Sequence, residues 1–295
     1  MKLVRYGEAG HERPGLWVDD PAGSPRILDV RGMAYDIADY DAFFFSRHGL
    51  ARVAALAREN RRKEIPADAA RLGPPVARPG KIICVGKNYA DHAREFDAVI
   101  PESPVLFSKA TTSLHGPFDD VIIEANAEHT DAEVELAVVI GRPTFRVSED
   151  EAPGCIAGYS IVNDITDRKA QREGVQWFRG KSFDTFCPMG PWLITPDELP
   201  APIALTLRSR LNGMPLQEGR TDAMLFGVAR LISFISRNIS LEPGDVIATG
   251  TPAGVGFARQ PPTLLKPGDL IECEIEGIGT IANRVRARVP VDSAG

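Results

Sequence analysis

Glu133-Val134-Glu135-Leu136-Ala137-Val138-Val139-Ile140 sets two carboxylates one residue apart at the head of an unbroken apolar run. Side chains of a strand alternate between its faces, so Glu133 and Glu135 share one face and Val134 takes the other. A strand that is apolar on both faces enters an interior, carrying the pair with it. A second run, Ile161-Val162-Asn163-Asp164, follows Gly158 and ends on another acid. Carboxylates crowded together away from water repel one another. A hard divalent cation relieves that repulsion, and all-oxygen ligation suits magnesium, manganese or calcium rather than zinc. The competing reading is the wet face of a half-buried sheet, where most carboxylates reside. Spacing alone leaves the two readings level.

Outward from this stretch the chain reads as many short strands. From Lys81 they are expected at Ile82 to Val85, Val105 to Ser108, Val121 to Glu124, Glu133 to Gly141, Ile156 to Asp164, Trp192 to Thr195, Ile203 to Leu211, Val246 to Thr249, Leu270 to Ile275 and Gly279 to Val285. Asn212-Gly213 supplies a hairpin turn, and Glu276-Gly277-Ile278-Gly279 a second one. One helix is predicted from a Thr221 or Asp222 cap, with Leu225, Val228, Leu231, Ile232 and Ile235 as its apolar stripe. Residues 1 to about 65 alternate short strands with turns and give one helix around Asp41 to Arg58, and Pro66 to Pro79 reads as a connector. Many strands with few helices predict a β-rich sandwich or rolled barrel.

The 295 residues suffice for one large domain, or a large one with a small companion. Hydrophobic content of 43% and charged content of 25% are ordinary for a soluble globular protein. A net charge of −6 offers no basic footprint for nucleic acid. The one basic cluster, Arg58 to Lys63, reads as a solvated helix end. No apolar run approaches the roughly 20 residues that span a bilayer, and the start lacks a secretory pattern. Cys84, Cys155, Cys187 and Cys273 are widely spaced, as befits free thiols in a reducing cytoplasm.

Four further segments carry chemistry. In Gly86-Lys87-Asn88-Tyr89-Ala90-Asp91-His92-Ala93-Arg94-Glu95, His92 and Glu95 share a helical face, where a carboxylate can fix the imidazole as a general base. The bland alternative is a surface His–Glu pair. A helix after Asp164 would bring Arg168 and Gln171 to one side of it, unless that helix is merely an amphipathic surface element. Gly180-Lys181-Ser182 fails as a phosphate loop, because position 175 is valine and no helix is expected to follow; Lys181 is left as a point charge for an anionic substrate. Thr249-Gly250-Thr251-Pro252-Ala253-Gly254-Val255-Gly256 is either a ligand-facing loop with the Thr251 hydroxyl or a plain tight connection.

Together these motifs resemble the fumarylacetoacetate hydrolase family over about residues 80 to 287. Within it they look like the branch holding bacterial acylpyruvate hydrolases and 2-hydroxyhepta-2,4-diene-1,7-dioate isomerases. The resemblance implies an α+β, β-rich fold: a mixed β-sandwich roll over residues 71–295, preceded by a small N-terminal domain over 1–70. It implies a cytoplasmic homodimer that holds Mg2+ or Mn2+ on Glu133, Glu135 and Asp164. His92 and Glu95 match the base dyad, and Lys181, Arg168, Gln171 and Thr251 match positions lining the substrate pocket. The implied reaction is on a small 2-oxo acid. His92 activates a water that attacks C4 of an acylpyruvate, and C3–C4 cleavage releases pyruvate as an enolate with Lys181 balancing charge. The same site also suits decarboxylation of oxaloacetate, isomerisation of an oxo-dienoate or dehydration of a 3-deoxy sugar acid. An intact ligand set and dyad argue against a non-enzymatic binding module.

Overall fold

Short apolar and β-branched runs punctuated by glycine and proline become nineteen strands in the computed structural model, which describes residues 1–20, 23–59, 63–96, 99–125 and 127–289. The first five are β1 (Lys2–Tyr6), β2 (Arg13–Val18), β3 (Arg26–Asp29), β4 (Glu64–Pro66) and β5 (Leu72–Gly73). Then come β6 (Ile82–Gly86), β7 (Val105–Lys109), β8 (Leu114–His115), β9 (Val121–Ile123), β10 (Thr130–Asp131), β11 (Val134–Ile140) and β12 (Ile156–Asn163). The last are β13 (Thr166–Asp167), β14 (Cys187–Ile194), β15 (Thr206–Leu211), β16 (Met214–Arg220), β17 (Val246–Ala248), β18 (Leu270–Ile275) and β19 (Gly279–Ala287). Helices are short: α1 (Val30–Met33), α2 (Ala42–Ser46), α3 (Gly49–Leu56), α4 (Ala90–Glu95), α5 (Arg168–Arg172), α6 (Phe178–Lys181) and α7 (Val228–Ser236). Every strand expected from Lys81 onward is present, with ends shifted by a few residues.

Two sheets dominate. A 12-stranded one follows the order β4-β3-β2-β1-β14-β12-β11-β17-β6-β7, with β5 on β1 and β8 on β14; a five-stranded one follows β16-β15-β18-β19-β9. Pairing is mostly antiparallel, with parallel contacts at β17–β6, β14–β8 and β19–β9. The fold is thus α+β, β-rich and mixed. The N-terminal strands are not a separate sheet, since Lys2 and Leu3 pair with Ile194 and Leu193.

The even residues of β11, Val134, Leu136, Val138 and Ile140, pack with Leu207, Ile271 and Ile281 of the second sheet. Its odd residues Ala137 and Val139 pack on the other side, in a cluster that includes Phe44, Phe45 and Val53 of the N-terminal helices. Burial on both faces explains the continuous apolar run.

Two expected helices differ. The stretch from Asp41 breaks into α2 and α3, because His48 turns left-handed at φ 56 and Gly49 packs where a Cβ would lie 2.3 Å from the Phe44 ring. Asp41 does cap α2, accepting from Phe44 N–H at 2.9 Å. The later helix begins at Val228 behind Gly227, not behind Thr221 or Asp222. Thr221 instead accepts from Leu205 N–H at 2.9 Å through its hydroxyl oxygen, and Asn88 takes the N–H groups of Leu225 and Phe226 out of any helix by accepting from both. Leu231, Ile232 and Ile235 still form the buried stripe. The connector before Pro79 carries β5. Of the expected basic helix end, Arg61 and Arg62 lie outside the described residues. Among the described residues, no helix is long and apolar enough to cross a membrane.

Candidate active site

Pleat and register assemble the acidic cluster. Glu133 and Glu135 project on the face opposite Val134, and Val134 pairs with Asn163 across the β11–β12 ladder. Asp164 N–H donates to Glu133 O at 2.9 Å, which sets Asp164 opposite Glu133. One oxygen from each of Glu133, Glu135 and Asp164 lies within 4.8 Å of the others, and all three residues are buried.

Buried cations border this cluster. Lys181 Nζ donates to Glu133 Oε2 and Asp164 Oδ2, both at 2.6 Å. Lys109 Nζ donates to Asp164 Oδ1 at 2.7 Å and to Ile165 O at 3.1 Å. Arg168 Nη2 reaches Glu133 Oε1 at 2.6 Å and Asp131 Oδ2 at 2.6 Å, and its Nε donates to the same Asp131 oxygen at 3.0 Å. Glu135 pairs directly with no cation among the described residues; its Oε2 accepts from Gly250 N–H at 2.7 Å. The two glutamates therefore behave oppositely. Burial alone would raise the Glu133 carboxyl, but the charges of Lys181 and Arg168 hold it well below the usual range. Burial, then the charges of Asp164 and Glu133, push the Glu135 carboxyl well above it.

The donor set fits a hard dication. It is all oxygen, each carboxylate oxygen that accepts one bond keeps a second lone pair, and the uncompensated charge is concentrated at Glu135. Glu133, Glu135 and Asp164 would hold the ion.

The dyad faces the same space. His92 Nδ1 lies 3.1 Å from Glu95 Oε2, and Glu95 Oε1 accepts from Gly254 N–H at 2.6 Å. A carboxylate only accepts, so Nδ1 carries the proton and Nε2 is left basic. A cavity of about 440 Å³ is lined by His92, Glu133, Glu135, Lys181, Arg168, Gln171 and Thr251, walled by Phe96, Phe107 and Trp177. Of the expected residues, Asp164 and Glu95 stand behind this lining. Gln171 Oε1 accepts from Arg168 Nη1 at 3.3 Å. The glycine of Gly180-Lys181-Ser182 has a packing role: a Cβ there would lie 2.4 Å from Gln171 N, so α6 crosses α5 closely and delivers Lys181 inward.

Lys109, Asp131 and Gln217 were not foreseen. Nothing local marks Lys109, a lysine closing an ordinary strand. Asp131 had a readable signal, since Asp131, Glu133 and Glu135 continue one alternation. Gln217 bonds across |i−j| of 34 and 83, out of reach of any local pattern.

The chain is similar to known proteins over nearly its whole length. Residues 81–286 match the Fumarylacetoacetate (FAA) hydrolase C-terminal family. Over 287 residues the chain is 43% identical to 2,4-didehydro-3-deoxy-L-rhamnonate hydrolase of Sphingomonas sp. (strain SKA58), covering 97% of this chain and 96% of the relative. It resembles the structure of fumarylacetoacetate hydrolase from psychrophilic Exiguobacterium antarcticum, with a TM-score of 0.79, 40% identity and coverage of 98% of this chain and 100% of that one. It also resembles 2-hydroxyhepta-2,4-diene-1,7-dioate isomerase from Mycobacterium marinum, with a TM-score of 0.77, 33% identity and the same coverage, 98% and 100%. Shared sequence over nearly the whole length, on a shared sheet architecture, makes this chain a member of the fumarylacetoacetate hydrolase family.

Proposed function

We propose that this chain is a Mg2+- or Mn2+-dependent hydrolase that splits C3–C4 of a 2,4-dioxo acid into pyruvate and a carboxylic acid, working as a cytoplasmic homodimer. The observation that carries this reading is that the His92–Glu95 dyad and the Glu133–Glu135–Asp164 cluster open on one cavity. The name of the Sphingomonas relative's substrate supports it, since 2,4-didehydro-3-deoxy describes oxo groups at C2 and C4 flanking a methylene.

A bound dication supplies Lewis acidity toward the 2-oxo group. His92, with Nδ1 tied to Glu95, takes a proton from water at Nε2; the hydroxide adds to the C4 carbonyl, and as the C3–C4 bond breaks C3 takes up that proton to give pyruvate. Lys181, buried and bordering the cluster, supplies positive charge where negative charge develops on the pyruvate half. Phe96, Phe107 and Trp177 give the cavity an apolar wall beside these groups. Arg168 and Gln171 line the wall that a substrate carboxylate would meet.

Pyruvate release from an acylpyruvate such as acetylpyruvate, followed with lactate dehydrogenase, tests the reading. Wild type with Mg2+ should turn over, and His92→Ala should lose about 100- to 10,000-fold in kcat while still binding the metal. No pyruvate from any acylpyruvate, or full activity in His92→Ala, would overturn it. A second reading, isomerisation of an unsaturated 2-oxo acid, is favoured by the likeness to the Mycobacterium marinum isomerase; a shift in ultraviolet absorbance of an oxo-dienoate without pyruvate release would select it.

A further inference from the structure

Val134, between the two glutamates, faces away from β12 with its N–H and C=O. On that side β17 pairs with β11 only over Ala137 to Val139, so among the described residues no strand neighbours Val134 there. Two side chains take the strand's place. Val134 N–H donates to Gln217 Oε1 at 3.1 Å, and Val134 O accepts from the Thr251 hydroxyl at 2.9 Å. Gln217 Nε2 donates to Thr251 Oγ1 at 2.7 Å, closing a ring of three residues, and to Pro252 O at 2.8 Å. Its Oε1 also accepts from Ser209 Oγ at 3.0 Å. Those four bonds fill the hydrogen-bonding capacity of a primary amide, two donors and two lone pairs, and Gln217 is buried.

The bond pattern ties Thr251 to the strand. Its one proton is committed to Val134 O and one lone pair to Gln217 Nε2. The loop it sits on is seated firmly on β16: a Cβ on Gly219 would lie 2.4 Å from Pro252 Cβ, and one on Gly254 would lie 2.4 Å from Leu216 O.

We propose that Gln217, acting through Thr251 and the Val134 peptide groups, is a positioning residue that sets the separation of the Glu133 and Glu135 carboxylates for a divalent cation. This rests on the metal-dependent reading above. Because Val134 lies between the two glutamates, any rotation about its φ or ψ swings one carboxylate relative to the other. The second sheet thus reaches the Val134 peptide N–H through one amide.

The test is Mn2+ affinity, measured from the electron paramagnetic resonance signal of free Mn2+, for wild type, Gln217→Met, Thr251→Val and Thr251→Ser. Thermal melting in EDTA is recorded for each. Gln217→Met and Thr251→Val should bind Mn2+ about 10- to 100-fold more weakly, as is typical when a partner behind a metal ligand is removed. Thr251→Ser, which keeps the hydroxyl, should recover most of the loss. Affinities for Gln217→Met and Thr251→Val within twofold of wild type would overturn the proposal. Should Gln217→Met fail to fold, the contrast between Thr251→Val and Thr251→Ser decides in the same way. Unfolding of both Gln217→Met and Thr251→Val would also overturn it, since the bonds would then serve the fold and not the site. If wild type takes up no Mn2+, the metal-dependent reading itself fails, which differs from a wild type that binds and variants that match it.

Discussion

Lys109 has no exposed side-chain surface, and neither has Asp164, its partner at 2.7 Å. A buried pair gives little net stability, and without Lys109 the Lys181 ammonium still reaches Asp164 Oδ2, so the loss is that of an unpaired Asp164 Oδ1, at about 1–3 kcal/mol. Lys109→Met should lower the unfolding free energy in EDTA by about that amount, measured by denaturant titration; a loss under about 1 kcal/mol would mean that the pair behaves like a surface bridge. The acids were legible in the sequence, as were Lys181 and Arg168 as cavity residues, but the pairing of acids with cations was not. Glu133 and Glu135 announce themselves by alternation, and Asp164 by ending an apolar run. Lys109, Lys181 and Arg168 come from three separate elements, and only the folded chain brings them to the same carboxylates. Thr251 was legible as a cavity residue, but its hydroxyl's commitment to Val134 depends on Gln217 of another sheet.

Among the elements, strands were the more legible. Their apolar runs and turn signals are local, and Asn212-Gly213 turns as expected, both residues left-handed at φ 52 and 78. Helices misled where a tertiary contact overrode a periodic pattern. The Asp41 cap and the apolar residues beyond it favour a continuous helix, but Phe44 and Phe45 enter the core beside Tyr40, and the chain must turn at His48 to bring Val53 there too. Gly49 makes that turn tight. Gly49→Ala should destabilise by about 1–3 kcal/mol through overpacking against Phe44, read from the midpoint of chemical unfolding. An unchanged midpoint would show that the α2–α3 corner relaxes freely. The later start of α7 has a similar origin, in Asn88 accepting from the N–H groups of residues 225 and 226.

At the level of the whole molecule, charge and protons connect the site to stability. The Glu135 carboxyl lies above its unfolded value, so in the metal-free protein its contribution is present at low pH. That contribution is lost as pH rises from the ordinary carboxylate range through the raised folded value. A dication relieves that loss and adds stability by mass action. The rise in melting temperature on adding Mg2+ or Mn2+ should therefore be larger at pH 8 than at pH 5. Equal shifts at both would mean that Glu135 does not exchange a proton for the ion.

Four acids, Asp131, Glu133, Glu135 and Asp164, meet three cations, Lys109, Arg168 and Lys181, in the buried region behind the cavity. The balance is negative when all are ionised, and a dication reverses its sign. Before the ion arrives the cluster offers an anionic keto acid no net positive charge, and afterwards it does, which imposes a sequence of arrival with the ion first. Calorimetric titration with oxalate should give heat only after Mg2+ has been added, and equal heats in EDTA would rule out this ordering.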